Sequence, residues 1–352
     1  MSAPVLILVT RPVEVEPGGE PGEPTAPYRL ADVAEPQLSV LDLGVTRGDG
    51  VFESVRVGPS GSPDLEAHLR RFVVSAGLID LPVPDLEVWR RAFAAAVSEA
   101  RRRFGDDGVL AVKLVLTRGV EGRGEPTAWV LAQPAPDHTA VRRDGVAAIT
   151  LDRGYRHDAG ATSPWLLLGA KTLSYEVAAA ATREAARRGA REVVFVSSDG
   201  FVLEAPTSSV VVRFGDRVVS PPAEVGIIAG TTVTRALAFF AERGFETAEE
   251  RIPADRLAAA DAIWLVSSVR QAVPLTTLDG RPLHLDPALS APTWGGTRRV
   301  DRSAGEACAS RARSATQAEA ARGTVVRWTL SPTQRTRGTS TSASSRPRGV
   351  RL

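Results

Sequence analysis

"GAKTLSYEVAAAATREAARRGAREVVFVSSDGFVLEAPTSSVVV", from Gly169 to Val212, changes character half-way. The first half is alanine-rich and closes at Gly189, the residue type that most often ends a helix. The second half is valine-rich and breaks at Asp199-Gly200, a strong hairpin signal. One stretch thus supplies a helix and two strands, so a mixed α/β fold is expected. Lys171 stands at the loop-to-helix junction that opens it. The chain has 43 basic residues, and only Lys113 and Lys171 are lysines. Arginine keeps its proton in a protein, whereas a desolvated lysine can release it. Lys171 is therefore a candidate nucleophile or base. The plain alternative is that a few lysines survive in any arginine-rich chain. Lys113 is expected on a strand with its amine in solvent.

Downstream, "SSVVVRFGDRVVSPP" reads as a second hairpin around Gly215-Asp216, and "GIIAGTTVTRALAFFAERG" as a loop running into a helix. "ADAIWLVSSVRQAVPL" reads as a buried strand followed by a polar turn. Upstream, "GVFESVRV" alternates like a half-buried strand, and "GVLAVKLVLTRG" is a second strand. "PDLEAHLRRFVVSAGLI" and "PDLEVWRRAFAAAVSEARRRFG" have helical periodicity, each behind Pro-Asp. The turn-rich "AQPAPDHTAVRRDG" reads as a linker. The expected organisation is an N-terminal α/β domain over 1–135, a second domain over 136–289, and a disordered Arg/Ser-rich tail over 290–352.

Net charge is +2, with twelve arginines and three acids after Ser290, which leaves the body at −7. No strong pull toward nucleic acid or an anionic membrane follows from that body. Cys308 is the only cysteine, which excludes an internal disulfide and argues against a Cys-based metal site. The run "VLILV" reads as a strand, not a signal peptide, and no apolar run has the length of a membrane span. A cytoplasmic protein without metal is expected.

"GAKT" lacks the Gly-Lys pair of a phosphate-binding P-loop, His68, His138, His157 and His284 show no metal spacing, and no G-x-S-x-G elbow exists. What remains makes sense as a set. Lys171 offers an amine. Glu204 lies among apolar neighbours, where a carboxylate needs a cationic partner or becomes protonated. "GIIAGTT" offers backbone N–H groups at a helix start, which suits phosphate. Arg56, Ser267 and Ser268 end strands nearby in the pattern. An amine, a buried acid and phosphate donors are the parts needed to hold pyridoxal phosphate. Each also has a plain reading: a solvated strand acid, a surface ion pair, an ordinary helix cap.

The order of "LGVTRGDGVFESVRV", "AHLRRFVVSAGLIDLP", the Gly169–Val212 stretch, "GIIAGTTVTRAL" and "WLVSSVRQAVPL" resembles the class IV aminotransferases, the fold-type IV pyridoxal-phosphate enzymes. The likeness covers about residues 35–285. It implies a two-domain fold like that of D-amino acid aminotransferase, and a homodimer. It makes Lys171 the lysine that binds the cofactor covalently and moves protons, and Glu204 the partner of the pyridine nitrogen. It makes Arg56, Thr231, Thr232 and Ser268 phosphate ligands. Ser174 replaces the family's usual Asn. The loop "TRGVEGRGEP" is similar to that of aminodeoxychorismate lyases, with Arg123 as a substrate-carboxylate ligand and Arg270 as a second candidate. Glu125 stands where D-amino acid aminotransferases carry a histidine. The resemblance therefore implies 4-amino-4-deoxychorismate lyase activity, giving 4-aminobenzoate for folate synthesis, with a class IV aminotransferase acting on branched-chain or D-amino acids as the alternative.

Overall fold

The computed structural model describes residues 3–14 and 26–285. The first sheet holds β1 (Val5–Val9), β2 (Tyr28–Ala31), β3 (Gly50–Val57), β4 (Leu110–Thr117) and β5 (Thr127–Pro134). Their order is β2-β1-β5-β4-β3, and every pair is antiparallel. A single helical turn, α1 (Leu43–Thr46), precedes β3, and α2 (Leu65–Leu78) and α3 (Leu86–Phe104) cover one face. Alternation along β3 decides the rest. Val51, Val55 and Val57 join the core beneath the helices, while Phe52 and Ser54 face a cleft on the other side.

Helix α3 begins where Asp85 accepts hydrogen bonds from the Glu87 and Val88 N–H groups, and it ends at Gly105, whose φ is 88°. Its buried stripe runs Val88, Trp89, Ala92, Phe93, Ala96, Ala100. Trp89 meets Phe72 of α2 edge-on, with ring centres 4.9 Å apart, and its indole N–H donates to the Pro12 carbonyl at 2.8 Å.

The second sheet is mixed. It contains β6 (Val146–Asp152), β7 (Glu192–Val196), β8 (Ser209–Phe214), β9 (Arg217–Ser220), β10 (Glu246–Glu249), β11 (Ala262–Ser267), β12 (Gln271–Leu278) and β13 (Arg281–Pro282). The order is β10-β9-β8-β11-β12-β6-β7, with β13 on β12. Helices α4 (Thr139–Asp144), α5 (Ala159–Thr162), α6 (Glu176–Arg187) and α7 (Thr231–Ala241) accompany it. Both sheets belong to one compact unit. β5 ends at Pro134 and β6 begins at Val146, so each sheet draws on one side of residue 135. The expected tail, 290–352, lies outside the described residues. Among those residues no helix is long and apolar enough to cross a membrane.

Three local expectations change. The segment read as a linker contains α4. The segment read as a polar turn after β11 turns only over Ser268–Arg270 and continues as β12, because Val273 and Leu275 are fully buried between β11 and β6. Pro274 has no N–H to donate, and the β6 ladder begins only after it, at Leu275. The arm after Gly200 is not a regular strand. Val202 N–H donates outward to Ile252, whereas Leu203 N–H donates back to Phe195, so the arm is shared between two neighbours.

Candidate active site

A cleft of about 510 Å³ opens between the two sheets. Phe52 and Ser54 of β3 form one wall, and Ser267 and Ser268 at the end of β11 form another. Its base is the segment carrying Lys171. That segment is laid against β3 as an extra short strand: Phe52 N–H donates to the Lys171 carbonyl at 3.0 Å, and Thr172 pairs with Val51. Leu173 N–H donates to Gly50 at 2.9 Å. A Cβ at Gly50 would meet the Leu116 carbonyl at 2.8 Å and Leu173 at 2.9 Å, so only glycine permits this approach. The Ser75 hydroxyl accepts from Lys171 N–H at 3.1 Å. The backbone is thus fixed from two sides, and the side chain projects into the cleft. Burial pushes the Lys171 ammonium down to about 8, and the Arg71 charge adds to the shift.

Glu204 reaches the same cleft from the irregular arm after Gly200. Its Oε2 accepts from Ile228 N–H at 3.3 Å. Burial pushes its carboxyl up to about 7, against the Ile228 N–H and the charges of Lys171, Arg153 and Arg71. Tyr175 lines the cleft beside it and meets Phe52 edge-on at 5.6 Å.

The far end is built on the start of α7. Gly230, Thr231 and Thr232 line the cleft there. A Cβ on Gly230 would come within 2.5 Å of the Ser209 hydroxyl, so glycine is required at the mouth of this helix. Arg71 of α2 points in from the first sheet. Its Nε and one terminal nitrogen bond both oxygens of Glu53 at 2.7 Å, and the other donates to the Ala229 carbonyl at 2.8 Å. Burial alone would push the fully buried Glu53 carboxyl up. Arg71 and His68 outweigh that effect and bring it down to about 2.

Of the residues expected from sequence, the fold brings Lys171, Glu204, Thr231, Thr232, Ser268 and Arg270 to this one cleft. Arg270 pairs with Glu192 and donates to the Ser208 hydroxyl at 2.9 Å. Arg56 goes elsewhere. It lines a smaller recess of about 160 Å³ with Arg235 and Asp64, sharing Thr232 and Ser268 with the cleft; only its backbone N–H touches Ser268 Oγ, at 3.2 Å. Arg123 is exposed on its loop and does not line the cleft of its own chain. Arg71, Phe52, Tyr175 and Arg153 also line the cleft, and the sequence pattern alone does not mark them. A signal for Arg71 exists: Glu53 on an apolar strand needs a cation, and Arg71 stands one turn after His68 on the buried face of α2.

Residues 50–278 match the model of the family described as amino-transferase class IV. The chain belongs to the class IV aminotransferases. It is 44% identical over 260 residues to the bifunctional aminodeoxychorismate lyase / D-amino acid transaminase of Mycobacterium tuberculosis, covering 72% of this chain and 89% of that one. Among solved structures, a fold IV transaminase from Curtobacterium pusillum is 51% identical with a TM-score of 0.77, over 82% of this chain and 94% of that one. The PLP-bound form of a hypothetical aminotransferase from Mycobacterium tuberculosis is 40% identical with a TM-score of 0.71, over 81% and 94%. Class IV enzymes use pyridoxal phosphate, and the residues present fit it. They offer a lysine shifted toward the free amine, a carboxyl raised by burial and short of a cationic partner, and a glycine-shaped helix mouth beside an arginine.

Proposed function

We propose that this class IV enzyme is a 4-amino-4-deoxychorismate lyase, converting that substrate into 4-aminobenzoate and pyruvate. The observation that carries the reading is the charge of the cleft. Arg71, Arg153, Lys171 and Arg270 line it, and Glu204 is the single acid among its lining residues, with Glu53 and Glu192 pairing Arg71 and Arg270 from behind. A substrate bearing two carboxylates suits such a lining, and the volume lies in the usual range for a small-molecule site. The loop around Arg123, with Glu125 in the place of a transaminase histidine, favours a lyase over an enzyme for simple D-amino acids.

In this reading Lys171, Glu204, Arg71, Thr231, Thr232 and Ser268 hold pyridoxal phosphate, with Arg71 taking the part first given to Arg56. When bound, the cofactor supplies an electron sink that acidifies the C–H next to the substrate nitrogen. Lys171 is partly free amine near neutral pH, so it can take that proton at Nζ and return it. Glu204 holds a proton at the pyridine-nitrogen end. Arg270, oriented by Glu192 and Ser208, lines the cleft and serves as a carboxylate ligand. Loss of the enolpyruvyl ether as pyruvate leaves an aromatic ring, which supplies much of the driving force. No keto acid is consumed.

Arg123 cannot serve its own cleft from its exposed position. Its role as a carboxylate ligand requires a second copy, so a homodimer in which each loop closes the other's cleft is part of the proposal. Val40 and Trp165, 80% and 74% exposed, leave apolar surface for such a contact. A cytoplasmic setting completes the reading.

The second reading is a transaminase, favoured by the bifunctional relative. Supplying aminodeoxychorismate alone separates the two. Release of 4-aminobenzoate and pyruvate over many turnovers, without any keto acid, is expected. Glutamate formation from D-alanine or L-leucine and 2-oxoglutarate, with no 4-aminobenzoate from aminodeoxychorismate, would move the assignment to transaminase.

A further inference from the structure

Glu53, His68 and Thr231 form a line of which the chemistry above uses only Thr231. Glu53 and His68 are 0% and 1% exposed. His68 Nδ1 lies 2.7 Å from Glu53 Oε2, and His68 Nε2 lies 3.4 Å from the Thr231 hydroxyl at the start of α7. Facing an ionised carboxylate, Nδ1 carries a proton. In the neutral ring Nε2 is then an acceptor, and the Thr231 hydroxyl donates to it. In the protonated ring Nε2 donates, and the hydroxyl is free to turn its own proton toward the cleft.

Charge adds a second argument. The Glu53 carboxylate takes up two of the Arg71 guanidinium's hydrogen bonds and cancels its charge. With His68 neutral, the group of three has no net charge; with His68 protonated it carries +1. The groups around it are Asp64 on its own helix, paired with Arg235 of α7; Arg56 of β3 in the adjoining recess; and Lys171 and Glu204 across the cleft. His68 Nε2 reaches the Thr231 hydroxyl at 3.4 Å, with Glu53 on the opposite side of the ring.

We propose that His68 is a proton-linked positioning residue for the phosphate end of the cleft: an anion bound at the start of α7 draws a proton onto His68, which turns the Thr231 hydroxyl toward that anion. The inference rests on the reading of this end as the phosphate cup, and it adds a coupling between anion and proton that the cup alone does not require.

Sulfate is the probe, because it keeps both charges through the neutral range and any proton taken up then belongs to the protein. The full chain, freed of cofactor, is titrated with sulfate by calorimetry near pH 7 in two buffers of different ionisation heat. Native protein should take up part of a proton on binding. His68→Gln should take up none and bind sulfate about tenfold more weakly, as expected when a nearby positive charge and the turned Thr231 hydroxyl are lost together. Equal uptake in His68→Gln would assign the proton to Lys171 or Glu204 and overturn the inference. Should that variant fail to fold, nitrogen NMR of the native protein decides. The His68 ring should stay cationic to higher pH in the holoenzyme and with sulfate than in the bare protein; a ring that ignores both refutes the coupling. Sulfate binding without a His68-linked proton sinks the inference and leaves the cup standing. No sulfate binding at all removes both.

Discussion

The Nζ of Lys171 stands 4.4 Å from the centre of the Phe52 ring, and the Nζ of Lys113 stands 4.7 Å from the centre of the same ring. The chain's two lysines therefore share one aromatic residue. Lys113 is exposed on β4, as expected, but its amine leans inward over Phe52 instead of standing free, and burial pushes its pKa down. Each ammonium gains from the ring and is disfavoured by the other.

Borohydride labelling tells the two lysines apart. Lys171→Ala should lose the reducible visible absorbance and lower turnover by at least about 10³-fold, since it removes both covalent attachment and proton transfer. Lys113→Gln should keep the label, found by mass spectrometry on Lys171. A label on Lys113 in the native enzyme would overturn the assignment.

Glu204→Gln should retain the cofactor and lose about 10²-fold or more in kcat, because an amide cannot hold the proton at the pyridine nitrogen. Its effect on the cofactor-free protein has the opposite sign. The folded carboxyl titrates at about 7 and the unfolded one at its ordinary value of 4.5. Between these values the folded state binds more protons, so the Glu204 contribution is full below pH 4.5 and is lost as pH rises through 7. Above pH 7, Glu204→Gln should unfold at higher urea than native protein, by on the order of 1–3 kcal/mol, and the difference should shrink toward pH 4.5. Identical urea curves at pH 8 would show that the acid is solvated.

Arg71→Ala should weaken cofactor binding and also destabilise the fold by about 3–5 kcal/mol, since it strands the buried Glu53 charge. Arg56→Ala should do neither beyond about 1 kcal/mol, because Asp64, the acid of its recess, pairs with Arg235 instead. Cofactor titration by fluorescence, with urea unfolding alongside, compares them. A larger loss of affinity in Arg56→Ala would restore Arg56 as the phosphate ligand.

Mixing Lys171→Ala chains with Arg123→Ala chains should restore activity that neither has alone, because one site of each mixed dimer is then native. About one quarter of native activity is expected from random pairing. An inactive mixture that forms dimers by light scattering would place Arg123 outside the site.

Much of this fold is legible in the sequence. Helix and hairpin signals around Gly189, Asp199-Gly200 and Gly215 marked real turns, each glycine having positive φ. Lys171 stood out chemically, and Glu204 by its apolar neighbours. The Arg71–Glu53 pair was not readable in the same way, because an acid on β3 and an arginine on α2 meet only when the helix packs on the strand. Arg70 and Arg71 are identical in type, and only helical phase separates them. Strand β12 was hidden for another reason: its proline signals a break, and that signal yields to burial on both faces.

The pairing of Thr172 with Val51 has a consequence for solubility. β3 is the last strand of its sheet, and "GVFESVRV" is an apolar, β-prone sequence that would offer open backbone groups to another molecule. The Lys171 segment sits on that border and occupies its hydrogen bonds at Gly50 and Phe52. The peptide that carries the Lys171 amine is therefore also an edge guard. Substitutions that loosen it, at Gly50 or Thr172, should cost more than turnover: they uncover an adhesive strand border, and insoluble protein is the expected symptom.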